Sequence, residues 1–271
     1  MTADDQRTAQ AAVERGVEAT PGGPDAAVGC AASGASAAEC GTAAGTRGTV
    51  FFDYDGTLHD CMRLYGPAFR TAYAWLVNEG WAEPREFTDE WIGRWLGWQV
   101  RDMWEAFMPE LPEGIWRRAS RIVGEEMDRL LDAGEGALFP GVPEALDALK
   151  DAGYGLAFLS NCGEAYRDRH RRAFGLDRWI DAYYCAEAYP GLEKWEIYER
   201  VAPRHAQPHL MVGDRFHDID VAVRAGIPSI GCAFGFGAPD ELDRATVTVA
   251  RFADVPAAVE RLIGGSGGAG A

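Results

Sequence analysis

Short runs of consecutive apolar residues recur along this chain and indicate β-strands that are buried on both faces. The runs occupy residues 49–52, 154–159, 209–212 and 228–233. Between them, apolar residues recur at the spacing of one helix face, at Val142, Ala145, Leu146 and Leu149 and again at Ile219, Ala222 and Val223. Strands that alternate with helices predict an α/β fold, in which a parallel sheet is covered by helices on both faces.

Residues 61–134 interrupt this alternation, because their apolar residues follow helical spacing only. Seven of the nine tryptophans of the chain fall in this segment. Since the segment lies between the first and second strands, we expect an all-helical insert in the sheet domain. Trp91, Trp95 and Trp98 share a helical spacing, which we interpret as the core of this insert rather than as a substrate pocket.

Both ends of the chain have compositions that are typical of disorder. Residues 1–47 contain 14 Ala and 7 Gly with almost no large apolar side chain. Residues 264–271 consist only of Gly, Ser and Ala. Such segments bury too little surface to offset the entropy lost on ordering. We therefore expect a disordered extension at 1–47 and a flexible tail at 264–271. The sheet domain then occupies 48–60 and 135–263, and the helical insert occupies 61–134.

Composition excludes several classes of protein. A net charge of −16 argues against a nucleic-acid binder, which needs clustered basic residues. No apolar stretch reaches the roughly 18 residues of a membrane span. The six cysteines are scattered without a CxxC pair, which argues against structural zinc and disulfides and favours a cytoplasmic protein with reduced thiols. The chain has only two lysines, Lys150 and Lys194.

Polar residues follow the first three predicted strands directly. They include Asp53, Asp55, residues 160–161, Asp214 and Asp218. Ligands of an open parallel sheet bind at the carboxyl ends of its strands, so these side chains are expected to converge. Each aspartate alone could be a turn or helix-cap residue. Together the carboxylates would repel one another, and Mg²⁺ would relieve this while recruiting an anionic substrate.

Three segments resemble motifs of the haloacid dehalogenase-like superfamily. Residues 51–58 read FFDYDGTL and resemble its first motif, hhhDxDGT, where h is apolar. Residues 159–161 resemble the second motif, a strand that ends in Ser or Thr, and residues 213–218 read GDRFHD and resemble the fourth, GDxxxD. The resemblance covers about residues 48–260 and implies a Rossmann-like core with an inserted helical cap of the C1 type.

The remaining motifs narrow the resemblance to a branch. Residues 139–142, 219–226 and 230–231 resemble segments of the phosphoglycolate phosphatase-like branch. The third motif is a lysine that is commonly followed by proline, and Lys194 is followed by Trp195 instead. We assign Lys194 to this motif because it lies between the second and fourth motifs. Lys150 lies on the helix before the second strand, where we expect its side chain to face solvent.

The resemblance implies a phosphoryl-transfer role for the first motif. Asp53 would be the nucleophile and would form an aspartyl-phosphate, while Asp55 would protonate the leaving alcohol and then deprotonate the water. Dehalogenases of the family lack the second aspartate, so Asp55 favours phosphoryl transfer. Phosphonate-cleaving relatives need a lysine in the cap, and the cap segment of this chain contains none.

The resemblance also implies the binding groups. Ser160, Asn161 and Lys194 would hold the phosphoryl oxygens. Arg101, in a cap segment that resembles the substrate-facing loop, would either contact a second anionic group of the substrate or be an exposed helix arginine.

A metal site is implied as well. Mg²⁺ would bind the Asp53 carboxylate, the backbone carbonyl of Asp55 and the Asp214 carboxylate. Asp218 would not bind the metal itself but would orient a metal ligand or a metal-bound water. Gly235-Phe236-Gly237 is a lone GxG without a following helix pattern, so dinucleotide binding is not predicted.

The sequence therefore predicts a cytoplasmic Mg²⁺-dependent phosphatase that acts on a small phosphorylated metabolite, with neither nucleic acid nor membrane as partner. We expect a monomer or a homodimer. Two alternatives remain open: a phosphomutase of the same superfamily, and a catalytically silent protein that binds a phosphorylated metabolite.

Overall fold

The computed structural model describes residues 46–98 and 100–267, and its centre is a parallel sheet. The sheet has six strands in the order β3-β2-β1-β4-β5-β6. Their bounds are β1 Thr49–Phe52, β2 Gly155–Ser160, β3 Ala182–Cys185, β4 His209–Gly213, β5 Ser229–Cys232 and β6 Val247–Val249. All paired strands run parallel, which confirms the predicted α/β class.

Nine α-helices surround or extend this sheet within the described residues. Five of them fall between β1 and β2, and the first four form the predicted helical cap: α1 Met62–Asn78, α2 Asp89–Gly93, α3 Val100–Phe107 and α4 Glu113–Asp132. The others belong to the core: α5 Val142–Asp151, α6 Glu164–Phe174, α7 Lys194–Val201, α8 Phe216–Ala225 and α9 Val255–Ile263. None of the described helices combines the length and apolarity needed to cross a membrane.

Alternate residues of the central strand face opposite sides of the sheet, and each side has its own helices. Phe52 packs in the cluster that contains apolar residues of α5 and α9, whereas Phe51 packs with residues of α7 and α8. Both faces of β1 are therefore buried, as its continuous apolar run predicts. The polar carboxyl end of β1 is consequently held in a fixed place between two covered faces.

The cap has a hydrophobic core of its own, in which α1 packs along α4. Phe69, Leu76, Ile92 and Trp104 are almost fully buried in this core. The indole Nε1 of Trp104 donates a hydrogen bond of 2.7 Å to Ser120 Oγ on α4. This bond joins α3 to α4 and holds the Trp104 indole in place.

Two details differ from the sequence predictions. Val223 was predicted on the buried face of α8, but it is 40% exposed, and Val221 takes the buried position beside Ile219. The strands β3 and β6 were not predicted. Both lie at edges of the sheet, where half-exposed residues interrupt the apolar run that marks the central strands.

The predicted tails are described only in part. Arg47, which the sequence assigned to the disordered extension, forms an ion pair of 2.7 Å with Glu260 on α9. Residues 264–267 of the predicted flexible tail form a 3₁₀ turn. The rest of both tails, residues 1–45 and 268–271, lies outside the described residues.

The two faces of α8 give a test of this packing. We expect Ile219→Ala to lower the free energy of unfolding by about 2–5 kcal/mol, because it leaves a cavity in the core. Val223→Ala on the exposed face should change it by about 0.5 kcal/mol or less. Urea unfolding of both variants measures the difference, and equal losses would contradict the assignment of faces.

Candidate active site

The turn after β1 brings two aspartates to the carboxyl end of the sheet. The Asp53 amide donates to Val212 O at 2.9 Å, so the pairing with β4 continues one residue past the strand. The carbonyl of Tyr54 then accepts bonds from the amides of residues 57–59, which closes a tight turn. Gly56 lies in this turn with φ +85°, a conformation that favours glycine. The DxDGT sequence therefore places Asp53 and Asp55 by backbone geometry.

Lys194 bridges two of the predicted site residues. Its Nζ lies 2.7 Å from Asp53 Oδ1 and 2.7 Å from Asp218 Oδ1, and all three side chains are buried. Burial lowers the pKa of Lys194, but the two carboxylates outweigh burial and hold it above the usual value. Asp218 is fixed further, since its Oδ2 accepts a 3.0 Å bond from the Arg215 amide at the start of α8.

Asp214 sits in a close-fitting enclosure that glycines make possible. Its Oδ2 accepts a hydrogen bond of 2.8 Å from the Phe236 amide. A Cβ on Gly56 would lie 2.2 Å from Asp214 Oδ2, and one on Gly235 would lie 2.3 Å from Asp214 Cβ. The lone GxG of the sequence, at Gly237 as well as Gly235, therefore packs around this aspartate and fixes its carboxylate.

The carboxylates of Asp53, Asp214 and Asp218 lie close together, and only Asp53 and Asp218 are paired with the Lys194 ammonium. One oxygen of each lies within 4.8 Å of the others. Burial and the neighbouring carboxylates raise the pKa of Asp53 to about 7 and raise that of Asp214 well above its ordinary value. A hard divalent cation with oxygen ligands would relieve this excess of negative charge, and these residues fit Mg²⁺ in number and chemistry.

Asp55 has a different environment from the other carboxylates. Its Oδ1 accepts a bond of 2.7 Å from the hydroxyl of Tyr166 and lies 2.9 Å from Nδ1 of the buried His59. Burial raises the pKa of Asp55, but these partners and the nearby imidazoles outweigh it, so the pKa lies below its usual range. The His59 ring stacks on Tyr54 at 5.1 Å, which holds the imidazole in place.

A cavity of about 320 Å³ opens above these residues, between the core and the cap. Ser160 and Asn161 line it at the end of β2, together with Asp53, Asp55, Lys194 and Asp218. The structure thus brings the predicted site residues of the sheet domain together around one cavity. Asp214 does not line the cavity but lies close to Asp53 and Asp218, which do. The core interpretation of the cap tryptophans holds, since Trp95 is buried in the cap core and Trp91 and Trp98 pack against it. Trp95 and Trp98 also line the cavity, which the helical spacing did not indicate.

Arg101 is not brought into this space. It lies on the exposed side of α3, where its side chain is 73% exposed and its Nε donates to Glu105 Oε1 at 2.6 Å. The structure therefore places it as the exposed helix arginine of the two alternatives. Arg101 is directed away from the cavity because successive residues of an α-helix are rotated by about 100° around its axis, and the preceding residue, Val100, lines the cavity.

Several site residues were missed by the sequence predictions. His59 and Tyr166 contact Asp55, and Arg215 links the core to the cap. The Arg215 guanidinium donates to the backbone oxygen of Leu96 in the cap and pairs with Glu241 at 2.8 Å. His59 directly follows the first motif, and Arg215 lies inside the fourth. The contacts of Tyr166 with Asp55 and of Arg215 with Leu96 join residues more than 100 positions apart, and no local pattern signals them.

The chain is similar in sequence to known proteins. The family model of haloacid dehalogenase-like hydrolases matches residues 48–226. A 5′-nucleotidase of Pseudomonas aeruginosa is 33% identical over 210 residues, which cover 71% of this chain and 86% of that protein. The probable phosphatase IndB of Dickeya dadantii is 30% identical over 220 residues, which cover 79% of this chain and 94% of that protein.

Solved structures show the same fold. A crystal structure described as a predicted phosphoglycolate phosphatase from Haemophilus somnus has a TM-score of 0.66 with 21% identity, and covers 78% of this chain and 97% of its own. The chain shares the fold of that structure and belongs to the haloacid dehalogenase-like hydrolases.

Proposed function

We propose that this phosphatase hydrolyses a small phosphate monoester with Mg²⁺ through a covalent phosphate ester of Asp53. The observation that carries the proposal is the buried contact of Lys194 with Asp53 and Asp218 at the floor of the cavity. The P. aeruginosa relative is named as a nucleotidase, which supports a phosphate monoester as the substrate class.

Asp53 is the nucleophile of the first step. Lys194 holds one carboxylate oxygen of Asp53, and the other oxygen is left to attack phosphorus. A bond forms between this oxygen and phosphorus while the bond from phosphorus to the leaving oxygen breaks. Lys194, Ser160 and the backbone around Asn161 hold the phosphoryl oxygens and offset their charge. In the second step water attacks phosphorus, inorganic phosphate leaves and the Asp53 carboxylate is restored.

Asp55 moves the protons of both steps. It donates a proton to the leaving alcohol in the first step and takes one from the attacking water in the second. Tyr166 and His59 both contact Oδ1, so Oδ2 is the oxygen that remains for the proton. These partners lower the pKa of Asp55 when the cavity holds no anion. A bound phosphate dianion raises it again, because a like charge disfavours the carboxylate.

The residues that would hold Mg²⁺ are the carboxylates of Asp53 and Asp214 and the backbone carbonyl of Asp55. When bound, the cation supplies positive charge for the phosphoryl oxygens and the nucleophile. The proposal is supported by the excess of buried carboxylate over ammonium at this place. Asp218 remains with Lys194 and keeps its ammonium directed at Asp53.

Replacing the nucleophile gives the first test. We expect Asp53→Asn to lower kcat for phosphate release from p-nitrophenyl phosphate by at least about 10⁴-fold, because the amide does not attack phosphorus. Circular dichroism should show an unchanged fold, since the amide has nearly the same shape. Activity of Asp53→Asn within tenfold of the wild type would contradict the proposed nucleophile.

The metal site has a test that is independent of activity. Saturating Mg²⁺ should raise the melting temperature of the wild-type protein by about 5 °C or more. Asp214→Asn should lose most of this rise, while its melting temperature without metal stays the same or increases because a buried charge is removed. Asp220→Asn, at an exposed ion pair on α8, is the matched control and should respond as wild type. An undiminished Mg²⁺ response in Asp214→Asn would rule out its role as ligand.

The hydrogen bond from the Tyr166 hydroxyl to Asp55 gives a third test. Tyr166→Phe keeps the ring and removes one bond to the acid, so we expect kcat to fall about tenfold while KM stays within about twofold. Tyr183→Phe is the matched control, because its hydroxyl contacts Asp177 at 3.0 Å on the surface. Steady-state kinetics with p-nitrophenyl phosphate measure both variants. A KM effect without a kcat effect would assign Tyr166 to binding instead of proton transfer.

A further inference from the structure

The side of the cavity formed by the cap is aromatic and aliphatic. Its lining residues are Tyr65, Trp95, Trp98, Met103, Trp104 and Val123, which we call the cap wall. The rings of Trp95 and Trp98 meet edge to face at 5.6 Å. Such a wall offers ring faces and edges to a bound group, and these surfaces favour flat aromatic partners over strongly hydrated ones.

The polar atoms of the cap wall are neutral. Trp104 Nε1 donates to Ser120 Oγ, and this hydroxyl in turn donates to Trp116 O at 2.9 Å. Trp95 Nε1 is a buried donor with no acceptor among the described residues. As a neutral donor it suits a carbonyl or ring nitrogen of a ligand, and it supplies no charge to an anion.

The cationic side chains that line the cavity, within the described residues, are already engaged. Lys194 is bound to Asp53 and Asp218. Arg215 is held by Glu241 and by the cap backbone. His217 also lines the cavity, but burial and the charge of Lys194 lower its pKa to about 4, so it is neutral near pH 7.

A second anionic group on the substrate would therefore be poorly accommodated. It would lose its hydration against the cap wall and would find no free cation there. It would also lie within the negative field of Asp53, Asp55 and Asp218, which also line the cavity. The phosphoryl group itself does not meet this difficulty, because it binds on the core side with Lys194.

We propose, on the basis of the function proposed above, that the substrate is a phosphate monoester whose leaving alcohol carries an aromatic group and no charge. The aromatic group packs on the cap wall while the phosphoryl group faces Asp53. Esters whose leaving group bears a carboxylate or a second phosphate, among them 2-phosphoglycolate, are poor substrates. The residues at the end of the sheet would thus act on a leaving group that the cap wall selects.

Three esters of primary alcohols test this proposal with the full-length wild-type enzyme and Mg²⁺. They are benzyl phosphate, 4-carboxybenzyl phosphate, which adds one carboxylate to the same ring, and 2-phosphoglycolate. We expect kcat/KM for phosphate release to be about 100-fold higher for benzyl phosphate than for either carboxylate ester. An equal or higher kcat/KM for either carboxylate ester would overturn the proposal and leave the phosphatase function intact. No release from any of the three would overturn the proposed function and this inference with it.

Variants at the cavity locate the cause of the preference. Val100 lines the cavity and is 53% exposed, so Val100→Arg places a cation there with little risk to folding. It should raise kcat/KM for 4-carboxybenzyl phosphate about tenfold and change that for benzyl phosphate by less than about threefold. The control Val223→Arg, at an exposed position of α8 outside the cavity lining, should change neither.

The aromatic contact has its own pair of variants. Trp98→Ala should lower kcat/KM for benzyl phosphate about tenfold, because the ring of the leaving group loses its partner. Trp81→Ala, which removes a 43% exposed tryptophan outside the cavity lining, should leave it unchanged. Equal losses in both variants, or no loss in Trp98→Ala together with no gain in Val100→Arg, would contradict the role of the cap wall.

Discussion

Two buried carboxylates, those of Asp53 and Asp218, share a single ammonium group at the carboxyl end of the sheet, and the site depends on this contact. The carboxylate of Asp214 lies within 4.8 Å of both. Lys194 lies 2.7 Å from both Asp53 and Asp218. Removing the charge of one partner from a buried ion pair typically costs roughly 3–5 kcal/mol, because the remaining charge is left uncompensated. The ammonium therefore fixes the orientation of Asp53. The remaining negative charge, centred on Asp214, is what makes the place suitable for a divalent cation and, through it, for a phosphate.

The fold supplies this arrangement through backbone geometry more than through side-chain packing. The carboxyl ends of β1 and β4 are neighbours in the sheet, so Asp53 and Asp214 emerge side by side. Gly56 and Gly235 allow the backbone to approach Asp214 to distances that no Cβ would permit. The cap then closes the space from the other side, and its aromatic residues set the chemistry of the leaving group that fits.

The parts that were predictable from sequence are those with a local signal. The central strands are buried on both faces and read as continuous apolar runs, and the aspartates follow them directly in the chain. The edge strand β3 contains two tyrosines and is half exposed, and β6 has only three residues, so neither produces such a run. Val223 was misassigned because α8 has apolar residues at three consecutive positions, Val221, Ala222 and Val223, and the periodicity alone did not separate Val223 from Val221.

The contacts that Tyr166 and Arg215 make around the site were not predictable, because their partners are distant in the sequence. Tyr166 reaches Asp55 across 111 positions of sequence, and Arg215 reaches Leu96 across 119. Such pairs depend on how the cap and α6 are placed over the sheet, which no local pattern encodes. The cap tryptophans show the same limit, since helical spacing does not reveal which members of the row face the cavity.

The central claim is that Asp53 carries the phosphoryl group during turnover. The most direct measurement is rapid acid quenching of the wild-type enzyme during hydrolysis of a good substrate, followed by mass spectrometry of its peptides. We expect the added mass of one phosphoryl group on Asp53, appearing before steady-state release of phosphate. A phosphoryl group on another side chain, or hydrolysis with the Asp53 peptide unmodified at every quench time, would contradict it.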